Sequence, residues 1–201
     1  MRSLLGTKGA ALAEMMQSGL PVPFGFTVTT EACRRYFENG RVLPAEIAEE
    51  IFNKTAELED VTGKVFGGKE NPLFVSVRTG AAAAMPGLAE TIMNLGMNAE
   101  TPADAKEQLL EAICDSFDSW ESSKAFEYRK KRRFFWENDS DSEENGAAVS
   151  VQAMVFGNSG EDSAVGIVST RECISGENRL SGKFLTNAQG NELSQRMEEA
   201  Q

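Results

Sequence analysis

An arginine carried by an apolar strand into a run of very small residues is the most chemically suggestive feature of this chain. Val75-Ser76-Val77 leads to Arg78, then come Thr79, Gly80 and the four alanines 81–84, and Met85-Pro86-Gly87 follows. A guanidinium with little but backbone around it offers a rigid, permanently charged donor fork, which suits polyphosphate oxygens. Tiny residues let such a ligand approach backbone amides, with Thr79 adding a hydroxyl and Gly80 an amide. A second cation, Lys8, sits between glycines in Leu5-Gly6-Thr7-Lys8-Gly9-Ala10. Phosphoryl transfer is mostly positioning and neutralisation of charge, so a lysine on a glycine-flanked turn can follow phosphate oxygens. Together the two cations point to a nucleotide site. Plainer readings stand beside each one. Gly-Thr-Lys-Gly alone also fits a surface lysine, and Arg78 also fits a strand-end arginine paired with an acid.

The elements that must position these residues follow from periodicity and punctuation. Thr7 to Gln17 carries Ala, Leu and Met on one face and reads as a helix, closed by Gly19 and blocked by Pro21 and Pro23. Phe24 to Val28 reads as a strand. Thr29 or Thr30 then caps a helix through Phe37, with Glu31 near its positive end and Asn39-Gly40 after it. A helix from Pro44 to about Asp60 has Ile47, Ala48, Ile51 and Leu58 as its stripe. Leu73 to Val77 is β-branched and apolar enough for a central strand, and 78–96 reads as loop. Thr101-Pro102-Ala103-Asp104 opens a helix to Phe117, and a second runs from Ser122 to Arg133. The basic Lys130 to Arg133 and the acidic stretch Glu137 to Glu144 read as a solvated helix end and loop, with partner recruitment as the alternative. Beyond Gly146 the period changes to strands at Ala148–Phe156, Ser163–Ser169 and Ser181–Asn187. These elements predict an α+β fold of two lobes, 1–98 with both cation loops and 99–201 with two helices and then antiparallel strands.

Composition narrows the function classes. A chain of 201 residues with 41% apolar and 25% charged content is an ordinary globular protein, able to bury a core as one domain or two small lobes. The net charge of −11 repels phosphate backbones and excludes nonspecific nucleic-acid binding, while leaving room for a local positive pocket. Cys33, Cys114 and Cys173 have neither metal-ligand nor redox spacing and read as reduced thiols. No apolar run approaches roughly 20 residues, so no membrane partner is expected. Gly6 and Lys8 interrupt the start at once, which gives no signal peptide. A cytoplasmic location is expected, with a plastid left open. Histidine is absent from the whole chain.

Four stretches, in order, carry a family resemblance. The first is Gly6-Thr7-Lys8-Gly9-Ala10 with Leu12-Ala13-Glu14-Met15, running through Gly19-Leu20-Pro21-Val22-Pro23 to Gly25-Phe26-Thr27-Val28-Thr29-Thr30-Glu31-Ala32-Cys33. The second is Asn71-Pro72-Leu73 through Arg78-Thr79-Gly80-Ala81 and Met85-Pro86-Gly87 to Met93-Asn94-Leu95-Gly96. The third is Val151-Gln152-Ala153-Met154-Val155-Phe156-Gly157-Asn158, and the fourth joins Thr170-Arg171, Gly176-Glu177 and Phe184-Leu185-Thr186-Asn187-Ala188-Gln189-Gly190. This chain resembles the N-terminal, ATP-grasp-type nucleotide-binding domain of pyruvate, phosphate dikinase. The resemblance implies a two-lobed ATP-binding module with Lys8 and Arg78 on the phosphates and in the catalytic roles, assisted by Thr79 (serine in the family) and Gly80. It implies that Gln152, Ala153 and Met154 border the adenine and that Arg171 assists with phosphates, although Met154 as plain core and Arg171 as a structural pair stay open. The cofactors implied are ATP and Mg, and the phosphoryl acceptor is a histidine on another domain or on a carrier acting in trans.

The same comparison marks departures. Lys183 stands where the family has a metal-binding glutamate, and Gly190-Asn191-Glu192 keeps one acid of a Gly-Glu-Asp run, leaving Glu192 as the expected metal ligand. The segment around Arg196 is not recognisable. The family strand before the lysine loop has no counterpart, which implies an open sheet edge, and a helical insertion shrinks to a short link between Asn98 and Leu109. Two functions are therefore expected as alternatives: an ATP-binding phosphotransfer module, or an inactive remnant acting through interaction or regulation.

Overall fold

In the computed structural model, residues 1–81, 91–135 and 146–199 are described. Two expectations fall wholly or partly outside them: the Met85-Pro86-Gly87 stretch and the acidic run Glu137 to Glu144. The chain divides into two compact units, Met1–Met154 and Val155–Gln201. The expected boundary near residue 98 thus falls inside the first unit. The physical reason is that Ala147–Ala153, late in sequence, is inserted between two early strands.

In the first unit a four-stranded sheet has the order β1-β6-β4-β5, built from Gly25–Val28 (β1), Val75–Ala81 (β4), Thr91–Leu95 (β5) and Ala147–Ala153 (β6), every pair antiparallel. A parallel pair, Val65–Phe66 (β2) and Pro72–Leu73 (β3), lies apart from it. All seven residues of β6 are buried, as expected of a central strand covered on both faces. One face carries Val75, Val77, Val149 and Val151, which pack with Cys33, Ile113 and Phe117 in the main core. The helices Thr30–Glu38 (α2), Ala45–Thr62 (α3) and Pro102–Asp118 (α4) supply much of the rest of that core, with Val28, Phe66, Leu73 and Trp120. The pleat turns Gly80, Ala148 and Ser150 to the other face, where Arg2–Gln17 (α1) lies.

Local chemistry sets the ends of these helices. The Thr29 hydroxyl accepts from the Ala32 N–H at the start of α2. Thr101 and Asp104 satisfy each other's backbone amides in a reciprocal capping box, with Pro102 as the first residue of α4. A 3-10 turn and Ser123–Phe135 (α5) follow, and Arg129 stacks 4.2 Å from the Trp120 ring centre while donating to the Trp120 carbonyl. Cys33 is buried and accepts from the Ala147 N–H, and burial pushes its thiol up to about 12; Cys114 is half-buried and Cys173 exposed.

The second unit is a hairpin of Ala164–Ser169 (β7) and Ser181–Thr186 (β8), followed by Gly190–Glu199 (α6). Two departures from expectation follow. The stretch expected as loop over 78–96 is strand at its described ends, because β4 runs on to Ala81 and β5 begins at Thr91. α6 was not expected, since Leu193 and Met197 are the only apolar residues in the sequence of Gly190–Glu199, leaving little apolar pattern to read.

Candidate functional site

Two positive side chains meet where the first turn of the main part of α1 crosses β4. α1 is broken at Gly6, whose φ of 67° and ψ of 174° open the helix and restart it at Thr7. Such a conformation is essentially restricted to glycine. A Cβ on Gly6 would also lie 3.0 Å from the Gly80 carbonyl oxygen, so two glycines set how closely helix and strand approach. Lys8 then lies along Gly80, whose own added Cβ would meet the Lys8 Cβ at 3.4 Å. The Lys8 ammonium donates to the Thr79 carbonyl at 2.7 Å.

Arg78 precedes this contact on β4, opposite Ser150 of β6 and Thr91 of β5. Alternation puts Arg78 on the same face as Gly80 and therefore beside Lys8. It is exposed, and among the described residues neither cation has a carboxylate partner. Burial and the Arg78 charge hold the Lys8 ammonium below its usual pKa. The two cations therefore repel one another in the free protein, and an anion would relieve both. Thr27 and Ser150, whose hydroxyls lie 3.4 Å apart, line the same face and were not singled out from sequence. The one signal for Ser150 was the small or polar residue at every second position of Ala148-Val149-Ser150-Val151-Gln152.

The remaining expected residues are dispersed. Thr79 points to the core face, where its buried hydroxyl has no hydrogen-bond partner among the described residues, so it is the Thr79 carbonyl that meets Lys8. Gln152 is buried and donates from Nε2 to the Pro23 carbonyl at 2.9 Å. The Ala153 N–H bonds to Phe24 and the Met154 N–H to Phe74, so these amides are already committed. Met154 is half-buried, and its sulfur accepts from the Asn94 N–H.

In the second unit, Arg171 donates to the Gly176 carbonyl at 3.1 Å and braces its own loop. Glu192 accepts from the Gln189 N–H at 2.9 Å at the start of α6, a capping role. Lys183 is exposed on β8, opposite Ile167. Among the described residues no three Asp, Glu, Cys or His side chains come together as a metal site.

A family model described as pyruvate phosphate dikinase, AMP/ATP-binding domain, matches residues 2–66 and 41–189. Pyruvate, phosphate dikinases of Entamoeba histolytica and Clostridium symbiosum are each 34% identical, over alignments covering 96% of this chain and 30% of theirs. Pyruvate, phosphate dikinase 2 of Zea mays is 33% identical over the same shares. The chain spans about 30% of the length of these relatives. The first alignment, 272 residues long, exceeds the length of this chain, so the relative carries segments with no counterpart here.

Proposed function

Because the chain belongs to the pyruvate phosphate dikinase AMP/ATP-binding domain family, we propose that it is an ATP-binding module whose phosphate subsite is made by Lys8 and Arg78. The observation that carries this reading is the pair of adjacent cations with no carboxylate partner among the described residues, Lys8 having its pKa lowered by burial and by the Arg78 charge. A polyphosphate supplies what the free protein lacks there. Arg78 would clamp phosphate oxygens through its donor fork. Lys8, already turned to the Thr79 carbonyl, would swing one donor onto the same group. Gly80 keeps the floor of this subsite free of side chain.

The adenine would lie towards the end of β6. Ser150, the register partner of Arg78, and Met154 are four residues apart, roughly 13 Å at the rise of a strand, a span comparable with an extended nucleoside triphosphate. Of Gln152, Ala153 and Met154, only Met154 keeps a half-exposed side chain, so it would carry the apolar contact. Arg171 spends one guanidinium nitrogen on the Gly176 carbonyl and keeps others for an anion.

Chemistry then amounts to holding the phosphates in line and neutralising them as charge moves to the leaving group. The chain has no histidine, so the acceptor would be a histidine on another domain or protein. No step is assigned to Mg, because Glu192 is spent on its cap and Lys183 would repel the ion.

The test is calorimetric titration with a non-hydrolysable ATP analogue. Charge-assisted hydrogen bonds of this kind contribute about 1.5–3 kcal/mol, so Arg78→Ala should weaken binding roughly 10- to 100-fold. Equal affinity of the variant and the parent chain would remove Arg78 from the site.

A further inference from the structure

β1 ends the sheet, pairing with β6 on one side and with no strand among the described residues on the other. Its hydrogen-bonding phase is set by the Ala153 N–H, which donates to the Phe24 carbonyl at 2.8 Å. In an antiparallel ladder Phe26 and Val28 then face β6, so the N–H and C=O groups of Gly25 and Thr27 point away from the sheet. Such an edge is a template for another strand.

What sets this edge apart is that spaces lined in part by helix residues border it on both faces. On the α1 side is a space of about 250 Å³ lined by Leu12, Ala13, Met16, Val22 and others, none of them charged. On the opposite side a space of about 280 Å³ has Phe26, Val28, Ala32 and Ile51 among its walls and Arg35, Glu50 and Lys54 among its charged lining. Both of those cations are already held, Arg35 by Glu46 and Lys54 by Glu57. Glu31, also in that lining, is paired with Arg34, whereas Glu50 has no ion-pair partner among the described residues. The unbalanced charge on this side is therefore negative.

We propose that β1 accepts an added strand from another polypeptide, an extended segment with apolar residues facing α1 and a basic residue facing Glu50. Successive side chains of a strand point to opposite faces, so one short segment would fill both spaces while its backbone pairs with Gly25 and Thr27. A lysine or arginine on the α3 side would cover Phe26 and Val28 with its stem and bring its charge to the Glu50 carboxylate. A second copy of this chain fits less well, because its own β1, Gly25–Val28, carries no basic residue to face Glu50. The proposal involves neither Lys8 nor Arg78, so it stands or falls apart from the nucleotide reading.

The probe is the peptide acetyl-Val-Lys-Val-Lys-Val-amide, titrated into the full chain and followed by backbone NMR and hydrogen exchange. Saturable binding that slows exchange of the Gly25 and Thr27 amides at least tenfold is the expected result. N-methylation of the peptide nitrogens on one edge keeps its charge and should weaken binding at least fivefold. The exposed substitution Glu50→Lys should do the same without unfolding the chain. No binding at millimolar peptide, or equal binding of the N-methylated peptide, would overturn strand addition. Undiminished binding by Glu50→Lys would overturn the choice of a basic segment. Concentration-dependent protection of the same amides without peptide would overturn the choice of another polypeptide over a second copy.

Discussion

Burial and the neighbouring Arg78 charge both make the Lys8 ammonium costly, and this sets how the site responds to pH. The folded protein holds Lys8 below its ordinary value of 10.5, so the unfolded chain binds that proton more tightly. Below the lowered pKa both states carry the proton and the full cost is present. As pH rises from the lowered pKa towards 10.5 the cost is relieved, and this residue's share of stability increases. A bound polyphosphate reverses the perturbation by favouring the charged ammonium. Nucleotide binding should therefore make Lys8 take up protons as the pH approaches its lowered pKa, and take up fewer well below it. Calorimetry in buffers of different ionisation enthalpy measures that uptake, and Lys8→Met should abolish it. At this scale the sequence was partly legible. The residue types and spacing of Lys8, Arg78 and Gly80 announced cations at a glycine floor. That Thr79 turns its hydroxyl into the core and offers only its carbonyl could not be read, because side-chain alternation was hidden where a strand had been taken for loop. Nor could the commitment of the Gln152 amide to Pro23, which depends on a contact 129 residues away in sequence.

At the scale of elements, the site depends on how α1 crosses β4, and Gly6 controls that crossing. Gly6→Ala would place a side chain in a backbone region reserved for glycine and 3.0 Å from the Gly80 carbonyl oxygen. Strain of this type costs about 1–3 kcal/mol. Denaturant unfolding should show a loss of that size, accompanied by weaker nucleotide binding because Lys8 moves with its helix. An unchanged midpoint would mean that the break at Gly6 is not required. Helices with caps were read from sequence almost to the residue, since Thr29 and the Thr101–Asp104 box state their boundaries chemically. β5 was missed for the opposite reason. Thr91–Leu95 is a sheet-edge segment with no fully buried residue, so its sequence shows little alternation and its register comes from pairing with β4.

The molecule as a whole is two compact units spanning about 30% of the length of its relatives, and it holds no histidine. If phosphoryl transfer in this family module runs to a histidine, this chain cannot retain the group itself. Incubation with ATP labelled at the β- or γ-phosphate should leave no acid-labile, base-stable label on it. Label of that kind would contradict the need for an acceptor elsewhere. The overall α+β class was legible because helical and strand periods change cleanly along the chain. Where the units divide was not, because it turns on β6 joining a sheet whose other strands lie before residue 96.

The account rests most heavily on Lys8 and Arg78 acting as one phosphate subsite. The most direct test is a double-mutant cycle, titrating the parent chain, Lys8→Ala, Arg78→Ala and the double variant with a non-hydrolysable ATP analogue. Groups sharing one ligand typically couple by about 0.5–3 kcal/mol, so the double variant should depart from the sum of the single losses by that amount. Losses that simply add would mean that the two cations act separately. No loss in any variant would mean that nucleotide, if it binds, does so somewhere else.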